Sequence, residues 1–349
     1  DRRKACPYIN RYYMILQIKK WYLRFLEKDK KKGGDLFFHC LFFSLSLLYG
    51  CIVSLRNFFY DTGIFKAFTS PKKVISLGNI SWAGSGKTTL TIWLYKKVSK
   101  KIKTAILRRG YGDDEGKLLN QTTKDVYSNI NRASLAKDLA SEFDLFILDD
   151  GFQHRKLNRD LNIVVMGARE FRSNFTLIPA NIFREPLNSL KRAQIVIINY
   201  INELKNPDKT KEFLLNKFRH LKIFSARYTV KKITDLHNNE YTLPDLMMRR
   251  FGAITAIGYP QGFFNTLKSL NLTILKEISY PDHYKLTDSE FSTLRESLHK
   301  EQIHDIIITT KDKYHLPEEI SGINIYILEV DMVIENEDAF LREIEKIII

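Results

Sequence analysis

Residues 149–155, with the sequence DDGFQHR, combine two carboxylates with an amide, an imidazole and a guanidinium group. They directly follow the apolar run LFIL at residues 145–148, which is typical of a short buried strand. Carboxylates at the end of such a strand can hold Mg²⁺ and its bound water beside the phosphates of a nucleotide. The stretch therefore predicts a strand that delivers acids to a functional site.

A glycine-rich loop lies upstream at residues 81–89, SWAGSGKTT, between the apolar run 74–77 and a helical pattern. This order is typical of a phosphate-binding loop, in which backbone N–H groups face the phosphates. The ammonium group of Lys87 then contacts the β and γ oxygens and the hydroxyl of Thr88 binds Mg²⁺. The loop departs from the strict G-x-x-x-x-G-K-[ST] pattern because Ser81 replaces the first glycine. The predicted nucleotide-binding residues are Ser81, Gly84, Ser85, Gly86, Lys87, Thr88 and Thr89.

The two acids complete the predicted metal site. We expect Thr88, Asp149 and Asp150 to bind Mg²⁺ or its water, and the sequence does not say which aspartate lies nearer the ion. Downstream, Arg184 offers a planar fork suited to a phosphate group, although a salt bridge with the adjacent Glu185 is an alternative role. The predicted chemistry is phosphoryl transfer from a nucleoside triphosphate.

Motifs along most of the chain resemble those of the tetraacyldisaccharide 4'-kinases, the lipid A 4'-kinases of Gram-negative bacteria. The matching motifs are LSLLYG at 45–50, LGNISWAGSGKT at 77–88, RRGYG at 108–112, DDGFQHRKLNRDLNIVV at 149–165, LIPA at 177–180, REPLNSLKRA at 184–193, YPDHY at 280–284 and TTKD at 309–312. The family's loop also has a hydroxyl residue at the position of Ser81. The resemblance implies transfer of the γ-phosphate of ATP to the 4'-hydroxyl of an acylated glucosamine disaccharide 1-phosphate.

The resemblance also implies which residues act in catalysis. An aspartate in a D-E motif after RGYG is the expected base, oriented by a histidine in P-D-H, and these map to Asp114 and His283. Because the D-E follows RGYG more closely here than in the family, Asp113 remains an alternative. Lys87 and Arg184 complete the predicted catalytic set. The predicted substrate-binding residues are Arg109, Tyr111, Gln153, His154 and Arg155.

Short apolar runs alternate with helical stretches after the phosphate loop, which predicts an α/β fold with a mostly parallel sheet of the P-loop NTPase type and a smaller C-terminal α/β domain. The candidate strands are 74–77, 104–107, 145–148, 163–165, 195–198, 253–257, 305–308 and 323–328. Alternation around the turn 237–239 predicts a hairpin between the two domains. We divide the chain into an extension at 1–13, a membrane-associated helical segment at 14–60, a P-loop kinase domain at 61–222, a hairpin connector at 223–250 and the C-terminal domain at 251–349.

The 349 residues include 55 Lys and Arg against 40 Asp and Glu, a net charge of +15 that favours acidic partners. No nucleic-acid-binding motif is recognised, so we expect a phosphorylated lipid and an anionic membrane surface, with no nucleic acid and no obligate protein partner. Cys6, Cys40 and Cys51 have neither disulfide-framework nor metal-site spacing, which favours a reducing compartment. Another membrane-recruited P-loop NTPase or small-molecule kinase is the alternative, but it would not need REPL and PDHY.

Residues 36–55 form an apolar stretch without a formal charge, long enough to cross the hydrocarbon core of a membrane. Basic residues flank it on both sides, at 28–32 and at Arg56 and Lys66. Both flanks would then favour the cytoplasm, as would a kinase domain that uses ATP. We therefore expect a helix on the cytoplasmic side of the bacterial inner membrane, lying in the interface in preference to a single span. No cleavage site of a signal peptide follows it.

Overall fold

A computed structural model describes Tyr22, Phe25 and residues 34–82, 84–110, 114–317 and 320–348. The extension predicted at 1–13 lies outside the described residues, as do Tyr111 and Asp113. Asp114 begins a helix, but its side chain is outside what the structure describes.

Twelve strands in the described part of the chain form one sheet in the order β10-β9-β11-β12-β7-β6-β5-β1-β4-β2-β3, with β8 paired to β7. The strands are β1 Lys73–Gly78, β2 Thr104–Arg108, β3 Val126–Ser128, β4 Leu145–Leu148, β5 Leu161–Gly167, β6 Ile195–Asn199, β7 Lys222–Asp235, β8 Glu240–Tyr241, β9 Arg250–Thr255, β10 Thr273–Ser279, β11 Asp305–Thr309 and β12 Asn324–Ile334. All pairs are parallel except β7 with β12 and β7 with β8. The predicted α/β fold with a mostly parallel sheet is confirmed.

Helices cover both faces of this sheet. They are α1 Gly34–Asp61, α2 Lys87–Val98, α3 Asp114–Thr122, α4 Arg132–Asp138, α5 Pro207–Lys217, α6 Leu243–Leu246, α7 Pro260–Ser269, α8 Asp288–Lys300 and α9 Glu337–Ile348. Strands β2, β4, β5 and β6 are buried along their whole length, as expected for parallel strands between two helical layers. Because β1 and β4 are parallel, their C-terminal ends lie at the same end of the sheet. The phosphate loop and the DDGFQHR stretch begin there.

Strand β7 links the two halves of the sheet, a first half with β1 to β6 and a second half with β8 to β12. Its first residues pair in parallel with β6, up to Ser225 opposite Ile198, and from Ala226 onward it pairs antiparallel with β12. The turn predicted at 237–239 is present, because the Asp235 carboxylate accepts from the backbone N–H of His237 and of Asn239. The hairpin partner β8 has only two residues, so the main antiparallel partner of β7 is the distant β12.

The last helix, α9, packs against the first half of the molecule. Phe340 is fully buried there, with its ring 5.8 Å from Trp93 and 5.2 Å from Phe224. Lys101 of the same half forms an ion pair of 2.6 Å with Glu345. The residues that end the predicted C-terminal domain thus complete the core under α2, and the division at residue 251 stays a prediction.

Helix α1 is the one helix, among the described residues, long and apolar enough to cross a membrane by length and composition. Its inner side is held by polar contacts: Ser46 Oγ donates to Leu177 O over 2.8 Å, and Tyr49 OH donates to Arg184 O over 2.9 Å. Its other side is a continuous exposed apolar face made of Leu36, Phe37, Leu41, Phe43, Leu45, Leu47, Leu48, Ile52, Leu55 and Phe58. We call this surface the outer face of α1; clusters of exposed apolar side chains of this kind mark sites of protein or membrane interaction.

Candidate active site

The phosphate loop joins β1 to α2, and its last glycine has a backbone that other residues rarely adopt. Gly86 has φ of 87°, and a Cβ there would lie 2.4 Å from both Asn199 Nδ2 and Tyr228 OH. Asn199 Nδ2 also donates to Ser85 O over 2.9 Å. Asn199 of β6 and Tyr228 of β7 therefore support the loop from the side. Because Gly86 has no side chain, it fits against them, and the N-terminus of α2 can face a ligand.

Lys87, at the start of α2, faces a carboxylate of the DDGFQHR stretch. Its Nζ lies 3.7 Å from Asp150 Oδ1, and Arg184 Nη1 donates to Asp150 Oδ2 over 3.2 Å. Burial acts to raise the pKa of Asp150, but Lys87, Arg184 and Arg132 outweigh it, so the pKa is lowered from its ordinary value. Asp150 is therefore ionised at neutral pH, and its negative charge attracts all three cations.

Asp149 occupies a different environment from its neighbour. It is buried, and its Oδ1 accepts from Thr91 Oγ1 over 2.9 Å beneath α2. Arg132 Nη1 donates to the carbonyl oxygens of Asp149 and Asp150, over 2.8 and 3.1 Å, and so fixes the backbone that carries both acids. The side chain of Asp150 is 42% exposed, which makes it the more accessible of the two carboxylates.

These residues fit a magnesium ion. Asp150 Oδ1 makes no hydrogen bond to any described residue, and Thr88 supplies a hydroxyl in the first turn of α2. Magnesium prefers oxygen donors and commonly uses one or two carboxylates together with water and substrate phosphate oxygens. The described residues contain no group of three or more His, Cys, Asp or Glu that could hold a metal by itself. One carboxylate and one hydroxyl from the protein leave the other positions to water and phosphate oxygens, which suits an ion that binds together with a nucleotide.

Residues 153–155 mostly contact the protein itself. Gln153 Nε2 donates to Asn79 O over 2.7 Å, behind the phosphate loop. Arg155 donates to Asn57 O over 2.8 Å and to Asp61 Oδ1 over 2.6 Å, which holds the end of α1. Burial, together with nearby cations of which Arg132 is the strongest, lowers the pKa of His154 to about 4, so this ring is neutral at physiological pH.

Arg109 and Arg184 differ in their surroundings. Arg109 is exposed at the end of β2. Arg184 pairs with Asp150, whereas the buried Glu185 pairs with Arg192 over 2.7 Å and with Arg56 of α1 over 3.2 Å. The alternative of a salt bridge between Arg184 and Glu185 is therefore not what the structure has.

The second half of the molecule closes against the phosphate loop through another glycine. A Cβ on Gly84 would lie 2.9 Å from Gly258 C, so the two backbones touch. A Cβ on Gly258 would in turn lie 3.1 Å from Asp282 Oδ2. The adjacent His283 has φ of 64°, donates its backbone N–H to Ala256 O over 3.0 Å, and places Nε2 3.6 Å from Asp282. The P-D-H loop thus borders the phosphate loop.

Several cleft residues were not found from the sequence. A cavity of about 310 Å³ lies between the phosphate loop, α2, α3 and the second half, and its walls include Tyr228, Lys231, Tyr259, Lys311 and Asp331. Lys311 belongs to the TTKD motif, so the sequence marks its position but does not indicate its role. Buried Asp312 of the same motif accepts from Thr255 Oγ1 and from Ala256 N, each over 2.7 Å, and so shapes the loop that meets Gly84.

A parallel α/β sheet with a phosphate loop, and with carboxylates on the neighbouring strand beside the loop lysine, defines a P-loop nucleotide-binding protein of the phosphotransferase type. Residues 38–125 and 113–349 match the sequence profile described as tetraacyldisaccharide-1-P 4'-kinase, and the chain belongs to this family. It is therefore an enzyme, a kinase.

Individual relatives agree with this assignment. The tetraacyldisaccharide 4'-kinase of Elusimicrobium minutum is 28% identical, over 90% of this chain and 93% of the relative. That of Chlorobaculum tepidum is 32% identical, over 78% and 85%. A crystal structure of LpxK from Aquifex aeolicus in complex with ATP superposes with a TM-score of 0.66 at 26% identity, covering 88% of this chain and 98% of that one.

Asp150→Asn removes the accessible carboxylate while keeping the size of the side chain. We expect the apparent affinity for Mg²⁺ to fall by about tenfold or more, because a predicted ligand of the ion is lost. Affinity for Mg²⁺-free ATP should be kept or increased, because Lys87 and Arg184 no longer share their charge with an anion. Titration of kinase activity with Mg²⁺, and calorimetry with ATP, measure the two effects. Asp208→Asn, at an exposed position, is the control, and unchanged Mg²⁺ dependence in Asp150→Asn would contradict the prediction.

Proposed function

We propose that this kinase transfers the γ-phosphate of ATP to the 4'-hydroxyl of a tetraacyldisaccharide 1-phosphate, a step of lipid A biosynthesis. Membership of the family supports the reaction, and the observation that carries it in this chain is the group formed by Lys87, Asp150 and Arg184 beside the phosphate loop. One carboxylate with two cations within 4 Å is an arrangement for holding phosphate oxygens and a metal together.

The phosphate loop and Lys87 bind the β and γ phosphates in this proposal, and Arg184 contacts either the transferred group or the phosphate of the acceptor. Thr88 and Asp150 are the residues that would hold Mg²⁺, with Asp149 supporting them from beneath α2. When bound, Mg²⁺ neutralises charge on the phosphate oxygens. The protein's own contribution is positioning, since phosphoryl transfer requires little covalent chemistry from side chains.

The acceptor hydroxyl is a weak nucleophile, so a nearby base would accelerate the transfer. We propose Asp114 as this base and His283 as its partner, with Asp113 as the alternative to Asp114. Support comes from the placement of the elements: helix α3, which Asp114 begins, lines the cleft through Leu118 and Thr122. The loop of His283 borders the phosphate loop from the other half of the molecule.

The lipid part of the acceptor calls for an apolar surface near the site. The outer face of α1 supplies one, and Arg155 and Tyr49 connect α1 to the DDGFQHR and REPL motifs. We propose that α1 attaches the kinase to the cytoplasmic side of the inner membrane, lying in the interface or spanning it once. The net charge of +15 favours anionic lipid headgroups. No nucleic acid and no obligate protein partner belong to this proposal.

Lys87→Ala tests the proposed reaction. The wild-type chain should transfer labelled phosphate from γ-labelled ATP to a tetraacyldisaccharide 1-phosphate in detergent. Lys87→Ala should lose at least about a hundredfold of this activity, because the lost ammonium group stabilises charge in the transition state. Lys100→Ala, an exposed lysine just beyond the same helix, is the control. ATP hydrolysis without phosphorylated lipid in the wild type would instead favour another P-loop NTPase.

The proposed base is tested by Asp114→Ala and His283→Ala. Each should lower kcat by roughly 10² to 10⁴ with a smaller effect on KM for ATP, since general-base assistance typically has this size. The double variant should lose little more than the worse single variant, because the two residues act as one unit. Asp113→Ala should be mild. If Asp113→Ala shows the large loss and Asp114→Ala does not, the base is Asp113.

Membrane attachment is tested by one variant in which three residues of the outer face of α1, Leu47, Leu48 and Ile52, are all replaced with glutamine. These side chains are 58%, 60% and 59% exposed, so the folded core is left intact. We expect weaker flotation with anionic liposomes, because each buried apolar side chain contributes roughly 1.5–3 kcal/mol on transfer from water. KM for the lipid acceptor should rise while kcat is kept.

The matched control carries Met247→Gln, Met248→Gln and Leu275→Gln, three exposed apolar residues of the second half. It should float like the wild type. Equal flotation of both triple variants would show that the outer face of α1 is not the attachment surface.

A further inference from the structure

Glu170 is a buried carboxylate behind the phosphate loop to which none of the proposed catalytic roles applies. It follows β5 in a short 3-10 helix, Glu170–Arg172, and has no exposed surface. Full burial of an acid is costly unless hydrogen bonds or charges compensate for the lost water. The surroundings of this carboxylate therefore reveal what it does.

Both oxygens of Glu170 accept hydrogen bonds from the segments that surround the phosphate site. Ser81 Oγ donates to Oε1 over 2.5 Å, and the backbone N–H of Gly167 donates to Oε2. Ser81 is the first residue of the phosphate loop, at the position where the strict pattern has glycine. The loop is thus attached at its beginning to a carboxylate, in addition to the Asn199 contact near its end.

Charged groups from two elements face this carboxylate. Lys87 approaches from α2 and Arg169 precedes it in the chain, and both favour the ionised form. A Cβ on Gly167 would also lie 3.8 Å from the ring of Tyr200, so this residue borders the same space; burial raises the pKa of Tyr200 well above its ordinary value, and its hydroxyl is neutral. Burial is the strongest influence on Glu170 itself, and it raises the pKa of the carboxyl to about 7 despite the two donors and the two cations.

Nucleotide phosphates would bind at the phosphate loop, close to the same lysine, which begins α2. A Cβ on Gly167 would lie 3.1 Å from Glu170 Oε2 and 3.9 Å from Ser85 Cα, so the carboxylate and the phosphate loop are separated by about one layer of atoms. Negative charge brought to the loop would compete for Lys87 and disfavour a second anion behind it. The carboxylate would respond by binding a proton.

We propose that Glu170 is a positioning residue that fixes the start of the phosphate-binding loop through Ser81, and that its carboxylate takes up a proton when a nucleoside triphosphate binds. This inference rests on the proposed binding of ATP to the loop. Linkage gives the sign of the effect: a ligand that raises the pKa of a group binds more tightly to the protonated form. Affinity for ATP is therefore highest below the pKa of the free protein and decreases as pH rises through the pKa of the complex, from about 7 upward.

Glu170→Gln keeps the size of the side chain and removes its titration. Calorimetry of Mg²⁺-free ATP binding, in two buffers of different ionisation enthalpy near neutral pH, measures protons taken up by the full chain in detergent. The γ-phosphate of ATP also titrates in this range, so the wild type and Glu170→Gln are compared at each pH and the contribution of the ligand cancels. We expect the wild type to take up about half a proton more, and its affinity relative to Glu170→Gln to fall about tenfold from about pH 6 to about pH 9.

Ser81→Ala provides the second variant. Loss of the hydroxyl donor removes a hydrogen bond that favours ionised Glu170, so the midpoint of the pH profile should move upward while the titration itself persists. A merely structural role for both residues would weaken ATP binding by the same factor at every pH. If Glu170→Gln does not fold, the shift in Ser81→Ala decides.

Equal proton uptake by the wild type and Glu170→Gln, or an unshifted midpoint in Ser81→Ala, would overturn this inference and leave the proposed function standing. Absence of ATP binding by the wild type at every pH would overturn both.

Discussion

One hydrogen-bonded strand, β7, determines the geometry on which the cleft depends. It changes its partner from β6 to β12 at Ser225 and Ala226, so a parallel and an antiparallel ladder share a single backbone. Tyr228 follows this change directly, and its hydroxyl lies where a side chain at position 86 would have to be. The strand that joins the two halves of the molecule is therefore also a wall of the phosphate loop. The hydrogen bonds between β7 and β12 therefore fix the position of the second half relative to the phosphate loop.

Two acids near the phosphate site are each surrounded by more than one cation. Asp150 is surrounded by Lys87, Arg184 and Arg132, and Glu185 by Arg192 and Arg56. The cations outnumber the acid in each of these two groups, so the local field stays positive where phosphates are expected. The overall excess of basic residues gives no hint of this arrangement.

Local patterns in the sequence predicted the parts of the structure that local physics determines. Strands such as β4 and β6 are unbroken buried runs, and the phosphate loop has a backbone chemistry that only certain residues allow. Strand β3 has three half-buried residues, and β10 alternates between exposed and half-buried positions at the edge of the sheet, so neither gives the signal of a buried run. These two strands could not be predicted from hydrophobicity.

Contacts between segments that lie far apart in the sequence could not be predicted either. The pairing of β7 with β12 joins residues about a hundred positions apart, and the packing of Phe340 against Trp93 joins the two ends of the fold. The residues of the candidate site divide in the same way, into those that local motifs predict and those that depend on contacts between distant segments. The lysine and the aspartates follow from motif spacing, whereas the contact of Glu170 with Ser81 exists only because β5 lies beside β1 in the sheet.

The REPL motif places two adjacent residues of opposite charge in opposite surroundings. Arg184 faces Asp150 and the phosphate site, while Glu185 faces Arg56 and Asn57 of α1. An insertion or deletion of one residue here would bring a carboxylate against Asp150 and leave Arg192 without its partner. The opposite surroundings of these two adjacent residues therefore constrain the length of the segment between α1 and the phosphate site.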